Sequence, residues 1–171
     1  GVYGSSGRGV CEYFGVEDRV AVRIGTLSKA IGTLGGFVAC SSSVRDWLWH
    51  SARTQVFSTA LPPAVCAAAV KSFGLIRSEP ERRERLMSLS GNFRELMEGR
   101  FSAEGEGPIV SIQVEQPDLT QQLAADLLLE GFLVGSIRPP TVPYGTSRLR
   151  ICMTAACEAN EVERLAGLLS Q

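Results

Sequence analysis

Lysine is scarce in this chain: Lys29 is one of only two, against fifteen arginines. It lies in the glycine-flanked stretch Gly25-Thr26-Leu27-Ser28-Lys29-Ala30-Ile31-Gly32. A lysine on a tight loop between two apolar strand candidates can have its amine partly desolvated. That disfavours the charged form and leaves a nucleophile able to condense with a carbonyl. Taken alone, a lysine in a glycine-rich turn is far more often a surface residue, and it is the rest of the chain that favours the reactive reading.

The other reactive side chains offer less. Five cysteines, Cys11, Cys40, Cys66, Cys152 and Cys157, are widely scattered and form no Cys-x-x-Cys pair suited to zinc or disulfide exchange. They read as reduced thiols, and Cys40 and Cys66, set among alanines, valines and phenylalanine, read as small buried hydrophobes. No metal site is expected, and a cytoplasmic setting is the default. His50, the single histidine, reads as an ordinary helix residue.

The elements that must carry Lys29 follow from periodicity. Residues 19–24 alternate with β-branched side chains and lead into the lysine loop as a strand, and residues 35–40 form a second strand. Ser43 is a candidate N-cap for a helix over residues 44–53, with Trp47 and Leu48 facing inward. Residues 55–58 read as a third strand. Pro63 opens a very apolar helix over residues 64–77, which the pattern expects to be buried on most sides.

From residue 80 to about 101, Leu86, Leu89, Phe93 and Leu96 recur at helical spacing among charges. The change of composition near residues 78–80 marks a boundary between a first domain, 1–78, and a second, 79–171. In the second, residues 109–115 alternate as a strand, and Asp118 starts a helix that ends at Gly131. Residues 133–137 and 148–153 read as further strands, and a last helix carries Val162, Leu165, Leu168 and Leu169. Strands alternating with helices indicate α/β organisation.

With 171 residues, 44% hydrophobic content, 20% charged residues and a net charge of −1, the composition is that of an ordinary globular protein. The only basic run, Arg82-Arg83-Glu84-Arg85, is broken by glutamate, which argues against a nucleic-acid or membrane-surface role. No apolar run reaches the roughly 18 residues of a membrane helix.

Four segments in order carry a resemblance. They are Gly1-Val2-Tyr3-Gly4 with Gly7-Arg8-Gly9; Gly25-Thr26-Leu27-Ser28-Lys29-Ala30 with Gly35-Gly36; Phe57-Ser58-Thr59-Ala60-Leu61-Pro62-Pro63; and Ile137-Arg138-Pro139-Pro140-Thr141-Val142-Pro143 with Gly145-Thr146-Ser147-Arg148-Leu149-Arg150. Together they resemble the C-terminal half of an α-oxoamine synthase, a fold-type I pyridoxal-phosphate enzyme. The resemblance implies the remainder of a large-domain sheet followed by a small α+β domain. Within the family, the Ile137 to Pro143 segment is most similar to the members that condense L-alanine with a pimeloyl thioester in biotin synthesis. Members using glycine or serine with another acyl thioester are the near alternative.

Roles implied by the resemblance follow residue by residue. Lys29 would hold pyridoxal 5'-phosphate covalently and then act as the base that takes the α-proton. Thr26 matches the position whose hydroxyl binds the cofactor phosphate; its other reading is a turn hydroxyl bonding its own backbone. Arg150 matches the arginine that holds the amino-acid carboxylate, a task suited to a planar guanidinium. Ser58 and Thr59 match a segment that reaches the phosphate of a neighbouring subunit, which implies a homodimer. Arg138 either faces the acyl-thioester side, where pimeloyl-CoA or a pimeloyl-carrier protein would deliver the chain, or braces the turn before Pro139-Pro140.

The family's Asp-x-Ala-His motif, whose aspartate pairs with the pyridine nitrogen, would lie before Gly1. The expectation is therefore a fragment that reports its parent's function, inactive alone, with apolar surface left uncovered in its first domain. A partner subunit or remnant without catalysis is the competing reading, and the retention of Lys29, Thr26 and Arg150 together speaks against it.

Overall fold

β-Branched Val22 and Ile24 open strand β1 (Val22–Thr26), which pairs antiparallel with β2 (Gly36–Cys40) in the register Val22 to Cys40 and Thr26 to Gly36. The computed structural model describes residues 1–99 and 101–170. These form two compact units, Gly1–Pro80 and Glu81–Gln171, a first with a two-stranded sheet and a second with a four-stranded one.

In the first unit a glycine-rich loop leads into the short helix α1 (Val10–Tyr13). The Glu12 carboxylate on α1 ties that loop down, accepting from the Arg8 backbone N–H at 2.9 Å, the Ser6 N–H at 3.0 Å and the Ser5 hydroxyl at 3.1 Å. After β2 come α2 (Ser42–Ser51), α3 (Arg53–Val56) and α4 (Pro63–Ser78). The first unit's core is small: Leu27, Ile31 and Ala69 are buried, with Leu61 and Ile76 packed against them. Phe37 covers Gly25, where a Cβ would lie within 2.4 Å of the ring, and meets Phe73 of α4 edge-on at 6.1 Å.

In the second unit, α5 (Glu81–Met97) precedes strands β3 (Ala103–Glu104) and β4 (Ile109–Glu115). Then come α6 (Pro117–Leu129), β5 (Gly135–Ile137), β6 (Ser147–Cys152) and α7 (Ala159–Leu168). The sheet is antiparallel in the order β3-β4-β6-β5. Alternation along β4 and β6 sends Val110, Ile112, Leu149 and Ile151 into a core shared with Phe93, Met97, Leu127 and Leu165. Ser90 and Thr120, both fully buried, are satisfied by the carbonyls of Leu86 and Gln116 one turn back. Arg85 of α5 clasps the loop before α7, donating to the carbonyls of Ala155 and Cys157.

Several local expectations are corrected. Residues 55–58 are not a strand: the Val56 and Phe57 amides donate to the carbonyls of Ala52 and Arg53. Local helical bonds thus satisfy a segment with no strand beside it among the described residues. The N-cap of α2 is Ser41, whose hydroxyl accepts from Val44 N, not Ser43. Trp47 is exposed rather than inward, while Leu48 is half-buried. Helix α6 begins earlier than Asp118: Gln116 holds the N-cap position without a side-chain cap bond, and Pro117 lies in the first turn. The apolar α4 buries only Ala69, and Cys66 on it is exposed, because one face alone meets the rest of the unit. Strand β3 is two residues long, too short to leave a periodic signal.

Candidate active site

The lysine loop is the connection between two paired strands, and its shape is set by its own backbone. The Leu27 amide donates to Gly35 O at 2.9 Å and the Thr33 amide to Leu27 O at 2.7 Å. The Gly32 amide closes a turn onto Lys29 O at 2.9 Å. Gly32 and Gly35 take φ of +70° and +111°, values a side chain disfavours. Leu27 and Ile31, two residues to either side of Lys29, are buried, so Lys29 between them is forced outward and is exposed. The desolvation expected of its amine is not supplied by the described residues.

Beside that amine stand two hydroxyls. Lys29 Nζ donates to Ser28 Oγ at 3.4 Å, and Ser28 Oγ lies 2.7 Å from Thr26 Oγ1. Thr26 Oγ1 also accepts from the Ser28 amide at 3.2 Å. Thr26 thus makes the local turn bond, and the residue is exposed. Ser28 was not singled out by sequence, although its position next to Lys29 was the available signal.

The segment carrying Ser58 and Thr59 reaches the same loop through Leu61, which packs on the cluster of Leu27 and Ile31. A Cβ at Gly35 would lie 2.8 Å from Leu61 Cδ1, so a glycine there admits the leucine. Ser58 Oγ donates to Gln55 O at 3.0 Å, and both Ser58 and Thr59 are exposed. His50 is exposed at the end of α2.

In the second unit Arg150 and Arg138 have different surroundings. Arg150 alternates with the buried Leu149 and Ile151 and therefore stands on the opposite face of the sheet, level with Ser111 on β4 and Gly135 on β5. It is exposed, and its guanidinium meets no hydrogen-bond or ionic partner among the described residues. Gly135 keeps one flank of Arg150 open, and on the other flank Ser111 Oγ is buried with no partner among the described residues. Arg138 is half-buried and donates from Nη1 to Gln121 Oε1 of α6 at 2.6 Å. Its guanidinium is braced, whereas that of Arg150 is free to take an anion. Gln121 could not be found from sequence, since nothing local links it to Arg138.

The donor set fits a phosphorylated aldehyde. A primary amine for the carbonyl carbon and two hydroxyls for a phosphate share one loop of the first unit, and a free guanidinium suited to a carboxylate stands on the second. Among the described residues no group of three potential metal ligands occurs, and no helix is long and apolar enough to cross a membrane.

Comparison with known proteins shows the family of the chain. The aminotransferase class I and II family matches residues 1–169. The 8-amino-7-oxononanoate synthase of Lysinibacillus sphaericus is 42% identical over 173 residues, covering 100% of this chain and 44% of that protein. The synthase of the same name from Methylococcus capsulatus is 44% identical, covering 99% and 45%. Among solved structures, serine palmitoyltransferase from S. paucimobilis with bound PLP–myriocin aldimine superposes with a TM-score of 0.91 at 29% identity, covering 99% of this chain and 44% of that one. The chain thus spans a little under half the length of the relatives it matches.

Proposed function

Because the chain belongs to the aminotransferase class I and II family and resembles α-oxoamine synthases within it, we propose that it serves a pyridoxal-phosphate-dependent C-acyltransferase. The reaction is the decarboxylative condensation of L-alanine with a pimeloyl thioester, carried by coenzyme A or a carrier protein, to 8-amino-7-oxononanoate. The names of the two 8-amino-7-oxononanoate synthases it resembles support that substrate pair. The observation that carries the reading is the Lys29 amine, pushed outward between two buried neighbours and flanked by the Ser28 and Thr26 hydroxyls.

Bound pyridoxal phosphate supplies an electrophilic carbon and a conjugated ring that withdraws electrons from the substrate α-carbon. This chain's residues do the rest of the work assigned here. Lys29 Nζ holds the group and, when released by the incoming amino acid, accepts the α-proton. Thr26 Oγ1 and Ser28 Oγ donate to phosphate oxygens. Arg150 holds the amino-acid carboxylate with two parallel N–H donors. Arg138, steadied by Gln121, borders the acyl chain. Ser58 and Thr59 serve the phosphate of a second subunit in a homodimer, and the setting is cytoplasmic, in keeping with five free thiols.

The test is product identity. The protein that carries this chain is offered L-alanine, glycine or L-serine with pimeloyl-CoA and with acetyl-CoA, and the products are read by mass. L-Alanine with the pimeloyl donor is expected to give 8-amino-7-oxononanoate fastest. Preference for glycine or serine would move the assignment to another α-oxoamine synthase. Absence of product with every pair, despite bound cofactor, would favour a subunit without catalysis.

A further inference from the structure

Lys29 is exposed, yet an amine that must meet one carbon needs a loop that does not wander. Its anchors lie in the fold of the first unit. Leu27 and Ile31 retain 7% and 8% of their exposure and pack on Ala69 of α4. Three residues along α4 from Ala69, on the same helix face, the Ser72 hydroxyl donates to Ile31 O at 2.8 Å, across 41 residues of sequence.

That bond is not the usual one for a serine inside a helix. Such hydroxyls commonly turn back to the carbonyl four residues earlier, as Ser51 does to Trp47 O and Ser90 to Leu86 O. Ser72 directs its proton to the lysine loop instead. The accepting carbonyl lies two residues beyond Lys29, next to the turn that the Gly32 amide closes onto Lys29 O. Apolar contacts hold Leu27 and Ile31 against α4 without direction, whereas this hydrogen bond fixes how the peptide between Ile31 and Gly32 is rotated, the same peptide whose N–H closes the turn onto Lys29 O.

We propose that Ser72 is a positioning residue for Lys29, its hydroxyl orienting the loop through Ile31 O so that the amine is presented to an incoming aldehyde. The role rests on the reading of Lys29 as the cofactor lysine.

The chain contains its own control, because Lys71, the only other lysine, is exposed on α4. The protein that carries this chain is incubated with pyridoxal phosphate and cyanoborohydride, which reduces the carbon–nitrogen double bond formed with loss of water to a stable secondary amine. Peptide mass mapping then gives the ratio of labelling at Lys29 to labelling at Lys71. Wild-type protein is expected to favour Lys29. Ser72→Ala, a good helix former, should lower the ratio roughly two- to tenfold, the range of one net hydrogen bond, with unchanged far-ultraviolet dichroism. Ser72→Thr, which keeps the hydroxyl, should restore it.

An unchanged ratio in Ser72→Ala, with Lys29 still favoured, overturns the role of Ser72 alone. So does a fall in Ser72→Ala that Ser72→Thr does not reverse, since the hydroxyl would then not be responsible. No preference for Lys29 in the wild type overturns the cofactor reading, and the role of Ser72 with it.

Discussion

Thr26 and Ser28 turn their hydroxyls toward each other, 2.7 Å apart, and Ser28 accepts from the Lys29 amine at 3.4 Å. Two neutral donors next to a cation suit a phosphate dianion, and hydrogen bonds to a charged group are worth about 1.5–3 kcal/mol each. Thr26→Val and Ser28→Ala are therefore each expected to weaken pyridoxal-phosphate binding by about tenfold or more. Absorbance titration measures it, and unchanged affinity in both variants would place the phosphate elsewhere.

Arg150 is expected to act on the amino acid and not on the cofactor. Arg150→Ala should raise the KM for the amino acid about 10- to 100-fold, from the loss of a charge-assisted pair of bonds. Arg150→Lys should recover only part, because a point charge cannot reproduce the planar fork. Cofactor affinity, measured in parallel, should stay at the wild-type value.

Gly35 combines a φ of +111° with a Cβ position 2.8 Å from Leu61 Cδ1. Gly35→Ala should destabilise the first unit by about 1–3 kcal/mol, read by urea unfolding. Adding Leu61→Ala should remove the collision but not the backbone strain. A double variant as stable as Leu61→Ala alone would show that the backbone at Gly35 is not strained.

Glu12 links the stability of the first unit to acidity. Its carboxyl is lowered from 4.5 to about 2, chiefly by the Arg8 backbone N–H and further by bonds from Ser6 and Ser5, against burial acting in the other direction. Between those values the unfolded chain binds a proton that the folded chain refuses, so stability must fall as pH falls. The contribution is complete above about pH 4.5 and is lost on acidification towards pH 2. The stability gap between wild type and Glu12→Gln should accordingly be constant at neutral pH and narrow only in that acid window. A gap that narrows near neutrality would assign the effect to another group.

By itself the sequence determined the α/β class, the strands on either side of Lys29, the long helices and the family resemblance. Each is written locally: in the alternation of residues 109–115, in the proline that opens α4 (Pro63–Ser78), or in a contiguous motif such as Gly25-Thr26-Leu27-Ser28-Lys29. Tertiary structure alone decided which side chains meet. The bond from Ser72 to Ile31 O and the brace from Gln121 to Arg138 join residues 41 and 17 apart, and neither pair has a spacing that periodicity can detect. Residues 55–58 were misread for the same reason. A strand exists only where a neighbour accepts its backbone hydrogen bonds, and no such neighbour is written within the segment itself.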